Sequence, residues 1–350
     1  MATRKRKSRK KKGSGALGFL LRLFLVVLFA AILAAGAVYW LAREPYGPDT
    51  ETFVDLPTGS STALMGSRLE SAGIVHSQYV FDVLRLWKRG TLRAGEYRFD
   101  HPATAVEVYE RIARGDVYTR QVTVPEGANV FDIALRLEQA GLGTRQGFLD
   151  AVVNQVGLVA DLDPGATSLE GYLFPDTYRF PRKATSAQIA AVMVKRFRTV
   201  AGQIGLKENV HDVVTMASLV ERETAVDAER PMVASVFENR LAKKMPLMTD
   251  PSVIYGLEIE GRWRGAIYQS DLAHDTPWNT YLHAGLPPGP IANPGARSLR
   301  AAMDPAKSDY LYFVAAGVNA QGQSIFSRTL DEHNKNVAGY RHALKKAGAR

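Results

Sequence analysis

Two carboxylates, Glu221 and Glu223, stand near the end of a stretch that runs from Asn209 to Ala225. It is rich in helix formers, offers Asn209 or Asp212 as caps, and contains no Gly or Pro before Pro231, which predicts a single helix across it. At about 100° per residue, Val213, Val214, Ala217, Ser218, Glu221 and Ala225 share one side. A carboxyl among small and apolar neighbours is partly desolvated, which raises its pKa and suits it to act as a general acid near neutral pH. Glu223, about 200° further round, cannot serve the same cleft and reads as a neighbour without a role. A helical Glu is more commonly a solvated residue or an ion-pair partner, here of Arg222 or Arg240, and spacing alone leaves that reading open. Other chemistries lack their residues. There is no cysteine to supply a nucleophile, disulfide or thiolate site; the seven His are scattered without an H-E-x-x-H; and neither a G-x-S-x-G elbow nor a P-loop occurs.

Around this helix lies a series of ordered blocks. Ala217-Ser218-Leu219-Val220-Glu221-Arg222-Glu223-Thr224-Ala225 is preceded by Glu170-Gly171-Tyr172-Leu173-Phe174-Pro175-Asp176-Thr177-Tyr178. It is followed by Val236-Phe237-Glu238-Asn239-Arg240-Leu241 and Thr249-Asp250-Pro251-Ser252-Val253-Ile254-Tyr255-Gly256. Trp278-Asn279-Thr280-Tyr281, Gly285-Leu286-Pro287-Pro288-Gly289-Pro290-Ile291 with Asn293-Pro294-Gly295, and Tyr310-Leu311-Tyr312-Phe313-Val314 complete the set. In order and content these blocks resemble the endolytic murein transglycosylase family, also called YceG-like proteins. The departures are mild: Leu219 and Arg222 stand where Ile and Lys are expected, and Trp278 where Tyr is common.

The resemblance implies a lyase that cleaves the β-1,4 bond between N-acetylmuramic acid and N-acetylglucosamine within peptidoglycan strands, leaving a 1,6-anhydro-muramyl end, with Glu221 in the catalytic position. Such chemistry needs one carboxyl where hydrolases use two, because the attacking C6 hydroxyl belongs to the substrate. No metal or cofactor is called for. Asp250, Tyr255, Asn279 and Tyr281, in Pro- and Gly-punctuated segments expected to be loops around a cleft, are the candidate substrate-binding residues. Glu170 and Asp176 are expected to position the preceding unit against the catalytic part. Two rivals remain: a muramidase using water, with Asp250 as second carboxylate, and a non-catalytic wall-binding or division-scaffold protein. The resemblance implies glycan strands as the main partner and peptidoglycan synthases as protein partners.

The elements that must position this chemistry include a repeat. At an offset of 68, Val54–Leu84 aligns with Val122–Val152 without a gap, and ten of thirty-one positions are identical. Each copy reads as a short strand (Phe53–Leu56; Val122–Val124), a Pro-x-Gly turn, a helix stopped by Gly73 or Gly141, and a second helix. A further strand carries Tyr97-Arg98-Phe99 or Tyr178-Arg179-Phe180. Strand-helix-helix-strand resembles the LysM module, whose family binds N-acetylated wall glycans; a mere spacer fits the order equally well. Arg68, Glu70, Arg136 and Glu138 read as solvated helix faces.

Leu23–Ala42 holds twenty residues without a charge, long enough as a helix to span a bilayer, with Tyr39 and Trp40 at an interfacial level. Residues 1–22 carry nine Lys or Arg and no acid. The remaining 328 residues balance at 35 basic and 35 acidic, so the net charge of +9 belongs to the tail and gives no support for nucleic-acid binding. The positive-inside rule then puts the N-terminus in the cytoplasm and the body outside a bacterial inner membrane, with lipid touching the tail. The competing reading is a signal peptide cleaved near Ala35-Gly36-Ala37, but the apolar run is longer than the usual h-region. The expected layout is α+β: a basic tail (1–22), one transmembrane helix (23–42), two LysM-like β-α-α-β units (52–117 and 118–202) and a mixed catalytic domain (203–345).

Overall fold

The computed structural model of the chain describes residues 14–317 and 322–346, so the first thirteen residues of the basic tail lie outside the described residues. The chain divides into two compact units, Met1–Tyr118 and Thr119–Arg350.

The first unit opens with α1 (Ser14–Arg43), whose stretch Leu17–Arg43 is apolar and long enough to cross a bilayer. The helix begins ahead of the twenty-residue apolar run and takes Arg22 into its third turn. Next come β1 (Thr52–Leu56), α2 (Thr62–Ser71), α3 (Gln78–Lys88), β2 (Gly95–Phe99) and α4 (Ala105–Arg114). The strands pair antiparallel, Thr52 opposite Phe99 and Leu56 opposite Gly95. Two strands alone are marginal in water. Their inward faces are therefore closed by the helices around Leu56, Leu69, Phe81, Tyr97 and Ile112. Ser61 caps α2, Ser77 caps α3, and Thr104 with Glu107 forms a capping box on α4.

The second unit repeats this order with β3 (Thr119–Thr123), α5 (Val130–Gln139), α6 (Arg145–Asn154), β4 (Thr177–Pro181) and α7 (Ser186–Ile204). It continues through α8 (Val210–Glu223), α9 (Arg230–Ala242), α10 (Asp250–Ile259), α11 (Gln269–Leu272) and α12 (Ala296–Met303). The hairpin β5 (Tyr312–Ala315) and β6 (Ser324–Ser327) and the helix α13 (Leu330–Lys346) close the described chain. One continuous core, from Val122 and Ile133 through Phe197, Val214 and Leu219 to Phe237 and Leu299, serves both the repeat and the helices after it. The fold is thus mixed α and β with a single long apolar helix at its start.

The duplication is visible at the level of single hydrogen bonds. Gly73 and Gly141 both sit at φ +68°, where glycine alone is unstrained, and each closes a Schellman motif. Ile74 N–H donates to Leu69 O and Leu142 N–H to Leu137 O, both at 2.8 Å. The Tyr97 and Tyr178 hydroxyls each donate to the carbonyl four residues upstream, of Arg93 and Phe174. Glu70 and Glu138 are exposed, as expected of solvated faces, and they also accept from the first turns of the following helices, from Gln78 N–H at 3.2 Å and Arg145 N–H at 3.1 Å. A carboxylate there satisfies a free helix N–H and meets the positive end of the helix dipole.

Gly171 marks where the second repeat touches the later segments. Its φ is +86°, and a Cβ would come within 2.5 Å of Pro290 Cγ and 2.7 Å of Val214 Cγ1. Gly171→Ala is expected to cost about 2–4 kcal/mol through backbone strain and overpacking, read as a lowered midpoint of thermal unfolding.

Candidate functional site

Helix α8 ends at Glu223, after which Thr224 adopts extended backbone (φ −135°, ψ 132°). Asn209 stands at its start in left-handed backbone, and its side chain forms no cap bond. Residues Val214 to Val220 are all buried, so α8 runs through the interior with core on every side. Glu221 and Glu223 leave its last turn in different directions.

Glu221 enters a closed joint. Its side chain is 4% exposed; Oε1 accepts from Arg230 Nη2 at 2.8 Å and Oε2 from the Gly295 N–H at 2.9 Å. Arg230, itself 5% exposed, also pairs with Asp227, which Arg297 contacts from its other side, and lies 3.9 Å from Glu126. Glu126 comes from the Pro125-Glu126-Gly127 turn of the second repeat, and burial together with the Glu221 charge pushes its carboxyl above the ordinary value. The same turn receives Arg222 Nη1 on Gly127 O at 3.1 Å and donates Gly127 N–H to Asn293 O at 3.0 Å. Both Glu221 oxygens are therefore engaged in fastening this turn and the 293–295 segment to α8. Position 221, expected to present a partly desolvated carboxyl to a substrate, is closed off by Arg230, which reaches back nine residues to pair with it.

Glu223 faces a groove of about 380 Å³ that it lines with Arg240, Asp250, Tyr281, Tyr312 and His333. Its carboxyl is pushed up to about 7, first by burial and then by the negative charge of Asp250, against the opposing pull of Arg240 and Arg222. The residue passed over in the sequence thus has the proton affinity that a general acid requires. The Tyr281 hydroxyl donates to Asp250 Oδ1 at 2.6 Å, and burial and this bond both raise the phenol pKa. Arg240 is held rigidly by Leu311 O and Leu247 O, each at 2.7 Å, with its guanidinium 5.2 Å from the centre of the Tyr312 ring. His333, from α13, stacks on Tyr312 at 5.2 Å; burial and Arg240 lower its pKa, which favours the neutral ring.

Of the four substrate-binding candidates, the structure brings Asp250 and Tyr281 into this groove. Asp250-Pro251 opens helix α10 where a loop is expected, because proline at the first turn lacks only an N–H that would have no helical partner. Tyr255 is a correction. It is 5% exposed, packed on Trp278 (5.8 Å between ring centres) and Phe131 (6.2 Å), and its hydroxyl bonds to Glu170. Asn279 is another. It is fully buried, donating to Leu272 O at 3.0 Å and His274 O at 2.8 Å while accepting from Tyr281 N–H at 3.0 Å. Asn279 thereby positions the Tyr281 loop.

Glu170 joins the second repeat to the later segments, as expected. It accepts from Val130 N–H at 2.9 Å and Asn293 Nδ2 at 2.7 Å, and its burial raises the carboxyl to about 8. Asp176 acts differently: it binds Arg196 of α7 at 2.8 Å, within the repeat. Sequence could have pointed to Glu223, since it follows Met216, Leu219 and Val220 at helical spacings of seven, four and three and so lies on an apolar face as well.

Comparison with known proteins agrees with this architecture. Residues 54–339 match the model of the YceG-like family. The chain is 36% identical over 324 residues to a protein of Bacillus subtilis (strain 168) named endolytic murein transglycosylase, covering 85% of this chain and 87% of that one. A protein of the same name from Streptococcus pneumoniae serotype 2 (strain D39 / NCTC 7466) is 30% identical over 354 residues, across 89% of this chain and 64% of the relative. A crystal structure of a yceG-like protein from Listeria monocytogenes superposes with a TM-score of 0.53 at 33% identity, covering 82% of this chain and 99% of that one. With an apolar N-terminal helix, a duplicated β-α-α-β order and a matched region that takes in both repeats and the groove, the chain belongs to the YceG-like family.

Proposed function

We propose that this protein is a membrane-anchored lytic transglycosylase that cleaves the MurNAc–GlcNAc β-1,4 bond inside peptidoglycan strands, with Glu223 as its general acid and base. The observation that carries the reading is a carboxyl on the wall of an open groove, raised to about 7, beside a tyrosine–aspartate pair. The names of the relatives supply the substrate class. Protonated Glu223 gives its proton to the glycosidic oxygen as the C1–O bond breaks. The muramyl C6 oxygen then bonds to C1, and its proton returns to the Glu223 carboxylate. Atoms balance without water, and the attack gains from being intramolecular. Asp250, oriented by Tyr281, offers negative charge to the oxocarbenium-like centre.

In the same reading α1 is the anchor, with the basic tail cytoplasmic and the groove on the far side of the inner membrane, and the LysM-like units bind glycan. Termination of nascent strands beside peptidoglycan synthases follows from that placement.

The test is mass analysis of purified sacculi digested with the full chain in detergent. Anhydro-muramyl ends are expected. Reducing ends, one water heavier, would mean hydrolysis with Asp250 as base, and the absence of any release would mean a wall-binding protein. The pH profile is a second check. Glu223 must hold its proton to act, and its pKa lies above that of an ordinary carboxyl. Turnover on isolated glycan strands is therefore expected to hold below pH 7 and to fall by about tenfold per unit above it.

A further inference from the structure

Helix α3 carries two apolar faces where one is needed. Val80, Phe81 and Leu84 are buried in the core of the first unit, but Tyr79, Val83, Leu86 and Trp87 form a second stripe, with Leu86 75% and Trp87 74% exposed. At about 100° per residue these four fall within a sector of about 100°, so they make a continuous surface. The stripe borders a mostly apolar groove of about 910 Å³, whose opposite wall is Ala35, Val38, Tyr39 and Ala42 of α1 and which Lys88, Glu107 and Glu110 also line. Large contiguous apolar surface facing water is uncommon on soluble proteins and marks a site of contact.

The level of the groove along α1 identifies the occupant. Its α1 wall extends from Ala34 to Arg43, which includes the last nine residues of the uncharged run. At about 1.5 Å per residue, this places Val83 and Trp87 beside the final ~12 Å of the apolar segment. If α1 spans a bilayer, α3 cannot remain clear of it, because the residues facing it across the groove are those that sit in hydrocarbon and at the aromatic belt. Arg85 and Arg89, on and just beyond α3, are placed for headgroups.

We infer that α3 is an interfacial membrane helix, with Tyr79, Val83, Leu86 and Trp87 sunk into the leaflet where α1 ends and lipid acyl chains filling the groove. The inference rests on the reading of α1 as a membrane anchor. It would hold the first unit by two elements and fix its tilt against the surface, where a single helix would leave it free to swing.

The chain has no cysteine, so single-site labelling tests this on the intact protein. Leu86→Cys and Leu28→Cys, both at exposed positions, are each labelled with a nitroxide in the full chain reconstituted in phosphatidylethanolamine–phosphatidylglycerol vesicles. At position 86, collisions with dissolved oxygen are expected to exceed those with a water-soluble nickel chelate, the reverse of an aqueous site. Position 28 should show the same preference more strongly. A water-like ratio at 86 with a hydrocarbon-like one at 28 overturns the inference and leaves the anchor intact. A label at 86 shielded from both reagents means protein covers the stripe, which also overturns it. A water-like ratio at 28 removes the anchor on which the inference stands.

Discussion

Glu223→Gln is expected to lower the release of anhydro-muropeptides from sacculi by about 10²–10⁴-fold, the range that a positioned general acid contributes. Gln keeps the volume and polarity of the side chain but has no proton of suitable acidity to give. Glu223 also forms no hydrogen bond on which the fold depends among the described contacts, so the variant should unfold at nearly the wild-type temperature. The comparison that decides the assignment is Glu221→Gln, made in parallel. Its carboxylate is bound by Arg230 and Gly295 N–H. Losing its charge should reduce stability and leave turnover per folded molecule within a few-fold of wild type. Full cleavage by Glu223→Gln with a folded but inactive Glu221→Gln would return the acid role to position 221.

Arg230→Met should produce the largest loss of stability, about 3–5 kcal/mol, because it leaves an uncompensated charge inside the protein. Glu221 would remain buried beside Glu126 with only the Gly295 N–H as donor, and Asp227 would keep Arg297 alone. The two carboxylates would then repel one another across the space that the guanidinium fills. Denaturant unfolding followed by circular dichroism measures the loss. Pairing Arg230→Met with Glu221→Met should recover a substantial part of it, since an apolar pair of similar volume removes the buried charge. A double variant no more stable than the single one would show that Arg230 acts through Asp227 instead.

Much of the framework was legible in the chain as written. The duplicated Gly73 and Gly141 announced helix ends because only glycine takes φ +68° without strain, and both close the same motif. The apolar run ahead of residue 43 predicts a long helix, and it lies within a helix of thirty residues. Asp250 and Tyr281, both named as candidates from their block motifs, meet at 2.6 Å. Tyr255 and Asn279 came from equally well-marked blocks, yet packing turned both inward. A motif identifies the residues a site needs and does not separate those that touch a ligand from those that support them.

The choice between Glu221 and Glu223 shows where one dimension stops. Local periodicity put the two carboxyls on different faces of one helix, which is correct, but singled out the apolar neighbours of Glu221 alone, whereas α8 is buried nearly all round and offers them to both. Which face meets open space depends on segments far along the chain. Glu126 and Gly295 close the side of Glu221, 95 and 74 residues from it in sequence, while Asp250, Tyr281 and His333 border the side of Glu223. By itself, then, the chain determined its elements, its duplication and the helix that carries both carboxyls, all consequences of interactions within a few residues. Which carboxyl faces the groove was decided by the fold, because the pKa of a carboxyl depends on the charges and solvent around it, and these are brought there only by the tertiary structure.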